Sequence, residues 1–249
     1  MKDYGQRRQD DRRQTFKKTQ LKPWLSEYYC ITPEKNGEFV ARMEDVLETY
    51  CLPFDKNVPL VCMDEKPYQL LDEALTPIPM KPGKKKKIDY EYERKGTCSI
   101  FIFTEPLAGW RKTSVREQRT KKDWATEIHE LLTVHYPDQP KIRLVMDNLN
   151  THTIGSLYEV YPAETARALA KRLEIHYTPK HGSWLNIAEI ELSVMGRQCL
   201  KRRIPDMDTL RTELAAWHTN RNTNQKTVDW QFTTSDARIK LKHLYPIYN

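Results

Sequence analysis

Lys141-Ile-Arg-Leu-Val-Met-Asp147 is an apolar run that closes on an acidic residue, and it repeats a design met earlier in the chain at Val58-Pro-Leu-Val-Cys-Met-Asp64. Each run reads as a short buried strand ending in Asp. Strand-end residues of open α/β sheets point into the crevice where ligands bind, so neighbouring strands would bring Asp64 and Asp147 to one site.

The pattern around these runs fixes the rest of the layout. Upstream, Phe39, Val40, Met43, Val46, Leu47 and Tyr50 recur every three or four residues, which predicts an amphipathic helix between Pro33 and Tyr50. Between the two Asp-ending runs comes a turn-rich segment with Pro77, Pro79, Pro82 and Gly83, and then Lys84 to Lys87. That lysine run can contact phosphate, although a solvated loop is its more usual meaning. Residues 88–94 alternate and residues 97–103 are β-rich, with Lys95-Gly96 between them, so the pair reads as a β-hairpin. Trp110 to Val115 adds a strand segment. Lys121 to His135 is helical by the spacing of Trp124, Ile128, Leu131 and Leu132, and Pro137 and Pro140 end it.

Downstream of Asp147, Ala163 to Leu173 reads as a helix, Glu174 to Thr178 as a short strand, and Trp184 to Cys199 as a helix following Gly182. A last helix surrounds Leu210 to Trp217, and Trp217, Trp230 and Phe232 are expected to pack the C-terminal segment onto the core. The order strand, hairpin, helix, strand, helix, strand, helix predicts an α/β fold, a mixed sheet flanked by helices.

Composition narrows the partners. The chain has 249 residues and a formal net charge of +7, with Arg7, Arg8, Arg12, Arg13, Lys17, Lys18 and Lys22 crowded into its first stretch. Such a balance favours polyanions, because clustered cations release counterions from a phosphate backbone. The five cysteines form no CxxC pair, and neither HExxH nor a Cys/His pattern suggests zinc. The sequence has no GxxxxGK[ST] loop, so no nucleotide cofactor is expected. No apolar run reaches the ~18 residues of a membrane span and nothing resembles a signal peptide, so an intracellular, cytoplasmic protein without a membrane partner is expected.

A helix after the last strand can add Glu189 to the two aspartates. Three converging carboxylates repel one another unless cations sit between them, and oxygen-only ligation selects Mg²⁺ or Mn²⁺. Two such ions ~4 Å apart can activate a water or a 3′-hydroxyl and stabilise the leaving oxygen of a phosphodiester. Glu65, next to Asp64 on a strand, should face the other side of the sheet. Asn148, Asn150 and His152 can orient a ligand or touch phosphate, and Lys180, His181 and Trp184 can hold a DNA end.

Val61-Cys-Met-Asp-Glu-Lys-Pro67, Leu144-Val-Met-Asp-Asn-Leu-Asn-Thr-His152 and the segment from His176 to Leu192 resemble the three catalytic blocks of bacterial insertion-sequence transposases of the Tc/mariner superfamily. The likeness runs from about Lys17 to the C-terminus and includes Asp229-Trp-Gln-Phe-Thr-Thr234. The resemblance implies a ribonuclease H-like DDE catalytic domain over residues 58–204, preceded by a linker helix within 29–57 and followed by a C-terminal extension, 205–249. It also implies two Mg²⁺ or Mn²⁺ ions held by Asp64, Asp147 and Glu189, the last matching the acid of the family's Asn-Pro-Ile-Glu block at Asn186-Ile-Ala-Glu189. Glu191 is the rival for third ligand, on a different helix face, and the residues alone do not choose between them.

By the same resemblance the activity is cleavage of DNA at element ends and transfer of the freed 3′-hydroxyl into target DNA. The expected partners are both DNAs and a second copy of the chain, at the nucleoid. Residues 1–28 form a basic arm in which Thr15 to Trp24 is similar to the tail of the family's helix-turn-helix modules. Two alternatives stand beside this reading: a truncated, non-catalytic remnant that binds or inhibits a full-length transposase, and a general nuclease of the same fold.

Overall fold

Strand β1, Leu60–Glu73, carries the molecule's organisation because it pairs differently on its two edges. Its first residues, Leu60 to Cys62, run parallel to β4, Ile142–Met146, while Cys62 to Glu73 run antiparallel to β2, Tyr92–Glu105. β3, Trp110–Arg116, extends the antiparallel side and β5, Leu173–Tyr177, the parallel side, giving a five-stranded mixed sheet in the order β3-β2-β1-β4-β5. The structure, a computed structural model, describes residues 36–247. The expected basic arm and its Thr15–Trp24 segment lie outside the described residues.

Period-two alternation sends the side chains of β1 to two cores. Val61 and Met63 join Phe101, Phe103, Leu144 and Met146 beneath α2 (Lys121–Glu130), α3 (Ile154–Val160) and α4 (Ala163–Lys171), with Trp124 and Ile128 fully buried. Cys62 joins Ile100, Ile102 and Val145 on the other face. There α1 (Gly37–Tyr50), α5 (Ile187–Gln198), α6 (Met207–Thr223) and α7 (Thr234–Lys240) supply Met43, Leu47, Met195, Leu210, Leu214 and Ala237. Each such buried side chain stabilises the fold by roughly 1.5–3 kcal/mol. Trp217 is buried in this core, with Trp230 and Phe232 packed against it, as expected.

Four expectations need correction. The strand expected to end at Asp64 continues to Glu73, because pairing with β2 outlasts pairing with β4 by eleven residues, from Cys62 to Glu73. Lys95-Gly96 is not a hairpin turn: it lies inside β2, where Gln69 faces Thr97 and Leu71 faces Arg94, so Leu70 alone opposes two residues. Gly96 takes φ +107°, the backbone such a bulge requires and one that L side chains rarely adopt. The hairpin is instead formed by β1 and β2 themselves, joined through residues 74–91, where Ile78 bridges Lys87 and Lys81 bridges Lys84. The helix expected from Trp184 is split into a 3₁₀ turn, Ser183–Leu185, and α5. Finally, α3 and α7 carried no periodic signal; each has seven residues, too few to show one. α2 runs on into a π turn, Leu131–His135. Among the described residues no helix is long and apolar enough to cross a membrane.

Candidate metal centre

The last parallel rung between β1 and β4 pairs Cys62 with Val145. Two residues further on, each chain presents an aspartate: Asp64 on β1 and Asp147 immediately past β4. Equal offsets from one rung put both at the same end of the two parallel strands, and alternation along β1 turns Asp64 to the face of Cys62, the side covered by α5. Glu189 enters there from the first turn of α5.

The start of α5 is fastened to the sheet beside Asp64. Asn186 caps the helix, its Oδ1 accepting from the Ala188 amide at 3.1 Å, while its Nδ2 donates to the carbonyl of Met63 at 2.8 Å. The Tyr50 hydroxyl donates to the Leu185 carbonyl at 2.8 Å and accepts from the Ile187 amide at 3.3 Å, so α1 holds the same turn. Gly182 lets the chain turn into this segment, since a Cβ there would meet the Pro179 ring at 2.5 Å.

Electrostatics link the acids. Burial raises the Asp64 carboxyl, and the negative charges of Glu65, Asp147 and Glu189 add to it, against a hydrogen bond from the Glu65 amide; the net effect places it at about 7. Among the described residues no Lys or Arg pairs with Asp64 or Glu189. A half-buried, oxygen-only set with no cationic side chain fits a hard divalent ion such as Mg²⁺ or Mn²⁺.

Glu191 occupies a different environment. It is fully buried, and its oxygens accept from Arg111 Nε and Nη2 at 2.8 and 2.9 Å and from Arg221 Nη2 and Nε at 2.8 and 3.1 Å. Burial would raise its carboxyl, but the two guanidinium groups outweigh that and hold it below the usual value. Both oxygens are committed, which removes Glu191 from the crevice. The sequence signals neither arginine, because a cation inside a strand and another on a helix surface match no motif.

Glu65 faces the opposite side of the sheet, as alternation predicts, and meets His152 there. Lys180, His181 and Asn150 are exposed in loops that adjoin Glu189 and Asp147 in sequence, and Trp184, 40% exposed, packs edge-on against Phe232 at 6.2 Å. Of the two expectations for His152, orienting a ligand or touching phosphate, its burial goes with the first. It is 1% exposed, its ring lies against Trp124 at 6.1 Å, and its two nitrogens face the carboxylates of Asp147 and Glu65.

The sequence profile of the DDE superfamily endonucleases matches residues 59–211, more than half of the chain. The chain belongs to the DDE superfamily endonucleases. Among solved structures, this DDE chain is similar to the Mos1 strand transfer complex, with TM-score 0.61 and 11% identity over 88% of this chain and 65% of that one. A Mos1 transposase paired-end complex with left transposon end gives TM-score 0.58 and 12% identity over 95% of this chain and 71% of that one. A Mos1 mariner paired-end complex with Mn gives 0.55 and 13%, over 88% and 68%. At these identities the likeness speaks for the fold, which is ribonuclease H-like, with its mixed five-stranded open sheet flanked by helices. The DDE chain spans 65% of the length of the first of these structures. No curated protein matches its sequence.

Proposed function

We propose that this DDE-family chain is the catalytic part of a DNA transposase of the Tc/mariner type, with Asp64, Asp147 and Glu189 as ligands for two Mg²⁺ or Mn²⁺ ions. The observation that carries the reading is the equal offset of Asp64 and Asp147 from the Cys62–Val145 rung, with Glu189 near enough to raise the Asp64 carboxyl. The profile match over residues 59–211 supports it, as do Mos1 neighbours described with transposon ends.

When bound, the ions supply a lowered pKa to an attacking water or 3′-hydroxyl and charge stabilisation to the leaving oxygen. The protein's part is placement. Asp64 is held by its strand, Glu189 by the Asn186 cap and Asp147 by His152, which supports a role for each in positioning an ion. The exposed Lys180, His181, Trp184 and Asn150 lie on the loops beside the acids, where a DNA end approaching the crevice would meet them. DNA at element ends and at the target are the partners, two ends calling for two copies of the chain, and the nucleoid is the place of action.

The test is nicking of supercoiled plasmid by the purified chain with Mg²⁺ or Mn²⁺, followed by joining of a labelled pre-cut end to the plasmid. Asp64→Asn, Asp147→Asn and Glu189→Gln are each expected to abolish both reactions while remaining folded. Nicking without joining by the wild type would identify a nuclease rather than a transposase, and undiminished nicking by Asp147→Asn would refute the ligand assignment.

A further inference from the structure

We propose that His152 and Glu65 are positioning residues that fix the carboxylate of Asp147 from behind, on the face of the sheet opposite Asp64; the inference rests on the reading of Asp147 as a metal ligand. Asp147 needs such support. It is the first residue past β4, and the next three residues, Asn148 to Asn150, are exposed. No strand partner therefore orients its side chain. What does is His152, whose Nδ1–H donates to Asp147 Oδ1 at 2.6 Å, leaving the second oxygen of the carboxylate for a cation.

His152 is itself held on every side. Its amide donates to the Leu149 carbonyl at 2.9 Å, closing the turn that brings it back to Asp147. Its carbonyl accepts from the Tyr177 hydroxyl at 2.8 Å, and its ring stacks on the fully buried Trp124 at 25°. The far edge of the ring faces Glu65, with Nε2 3.3 Å from Oε2, and Arg119 lies 3.7 Å from the other Glu65 oxygen. Arg119, Glu65, His152 and Asp147 thus form a line of alternating polar contacts that starts near the surface and ends at the crevice.

The placement of Glu65 is what marks this line as more than packing. Along β1 the positions facing this core are Val61, Met63 and then Glu65, whose side chain is 2% exposed. An apolar residue would continue the pattern at lower cost, because a buried carboxylate loses its hydration. Its Oε2 is buried without an aligned hydrogen bond and has His152 Nε2 as its polar neighbour, at 3.3 Å. A carboxylate behind an imidazole fixes the ring's orientation and, through it, the ligand in front. Ligand-capable atoms of Glu65, Asp147 and His152 lie within 4.8 Å of one another, but the Nδ1 edge is already committed to Asp147 and the Nε2 edge faces Glu65. The cluster therefore serves the site in front of it and is not a second metal centre.

The experiment is Mn²⁺ titration of the purified full chain, followed by the electron paramagnetic resonance signal of free Mn²⁺, with DNA affinity measured separately in EDTA. His152→Ala is expected to weaken Mn²⁺ binding by about 10–100-fold with DNA affinity in EDTA unchanged. His152→Asn, whose amide nitrogen can stand where Nδ1 does, should recover most of the loss. Glu65→Gln, of the same shape and less disruptive should His152→Ala not fold, is expected to weaken Mn²⁺ binding several-fold. Wild-type Mn²⁺ affinity in a folded His152→Ala or in Glu65→Gln, or equal losses in His152→Ala and His152→Asn, overturns the proposal. Asp147→Ala is the control: if it keeps wild-type affinity, the ligand assignment fails and this inference with it. If Asp147→Ala loses affinity and the two positioning variants do not, only this inference fails.

Discussion

Both carboxylate oxygens of Glu191 accept from one edge of the Arg111 guanidinium, Nε and Nη2, at 2.8 and 2.9 Å, with neither side chain exposed to solvent. This pair ties α5 to β3, and Arg221 ties the same carboxylate to α6. Removing one partner of a buried ion pair strands the other charge and typically costs about 3–5 kcal/mol. Glu191→Ala should therefore lower the urea midpoint sharply, whereas Glu189→Ala should leave it near the wild type. A Glu191→Ala protein of wild-type stability would mean that the pair contributes nothing to the fold.

Asp64 presents the opposite case. Burial and the neighbouring carboxylates disfavour its charge, so the metal-free site is a source of strain. Asp64→Asn should raise the melting temperature in EDTA by several degrees, at roughly 2–4 °C per kcal/mol for a chain of this size. Added Mn²⁺ should stabilise the wild type more than this variant. Calorimetry with and without Mn²⁺ checks both statements, and a variant that melts below the wild type in EDTA contradicts the first.

Lys84 to Lys87 stand exposed on the link between β1 and β2, away from any core. Replacing all four by Gln should leave stability unchanged and weaken DNA binding alike for every sequence. The slope of log affinity against log salt should fall by about 0.9 for each duplex phosphate that is no longer neutralised. An unchanged slope would make the run a solvated loop and nothing more.

Glu44 on α1 accepts from Arg238 at 2.8 and 2.9 Å and from the Tyr245 hydroxyl at 2.8 Å. The hydrogen bond from Arg238 lowers its carboxyl below the usual value, against burial, with Tyr245 adding to the lowering. A depressed folded-state pKa means stabilisation that is complete above the ordinary Glu value and lost as the pH falls through the lowered one. Urea unfolding between pH 6 and pH 3 should show the wild type losing this increment on acidification, while Glu44→Gln, which lacks it throughout, shows a flatter profile.

Much of the fold is legible in the residues. The two Asp-ending runs declare buried strands because a strand covered on both faces must be apolar throughout, and alternation places Glu65 behind the sheet; that the two are parallel neighbours comes from their pairing. Gly96 misleads, since a glycine that opens a bulge looks the same in sequence as one that makes a turn. The choice between Glu189 and Glu191 needs Arg111 and Arg221, which lie 80 and 30 residues from Glu191 along the chain. Asn186 draws notice only as part of a block; its double role as helix cap and clamp on Met63 depends on a contact across 123 residues.

The continuation of β1 past its parallel partner has a mechanical meaning. Asp64 is stitched into an antiparallel ladder, opposite Ile102, with paired residues before and after it. Asp147 begins a loop and Glu189 lies in the first turn of a helix. Backbone pairing thus holds the first acid, whereas single side-chain contacts, from His152 and through Asn186, hold the other two. Amide hydrogens around Met63 to Glu65 therefore belong among the slowest to exchange with solvent and those of Asn148 to Asn150 among the fastest.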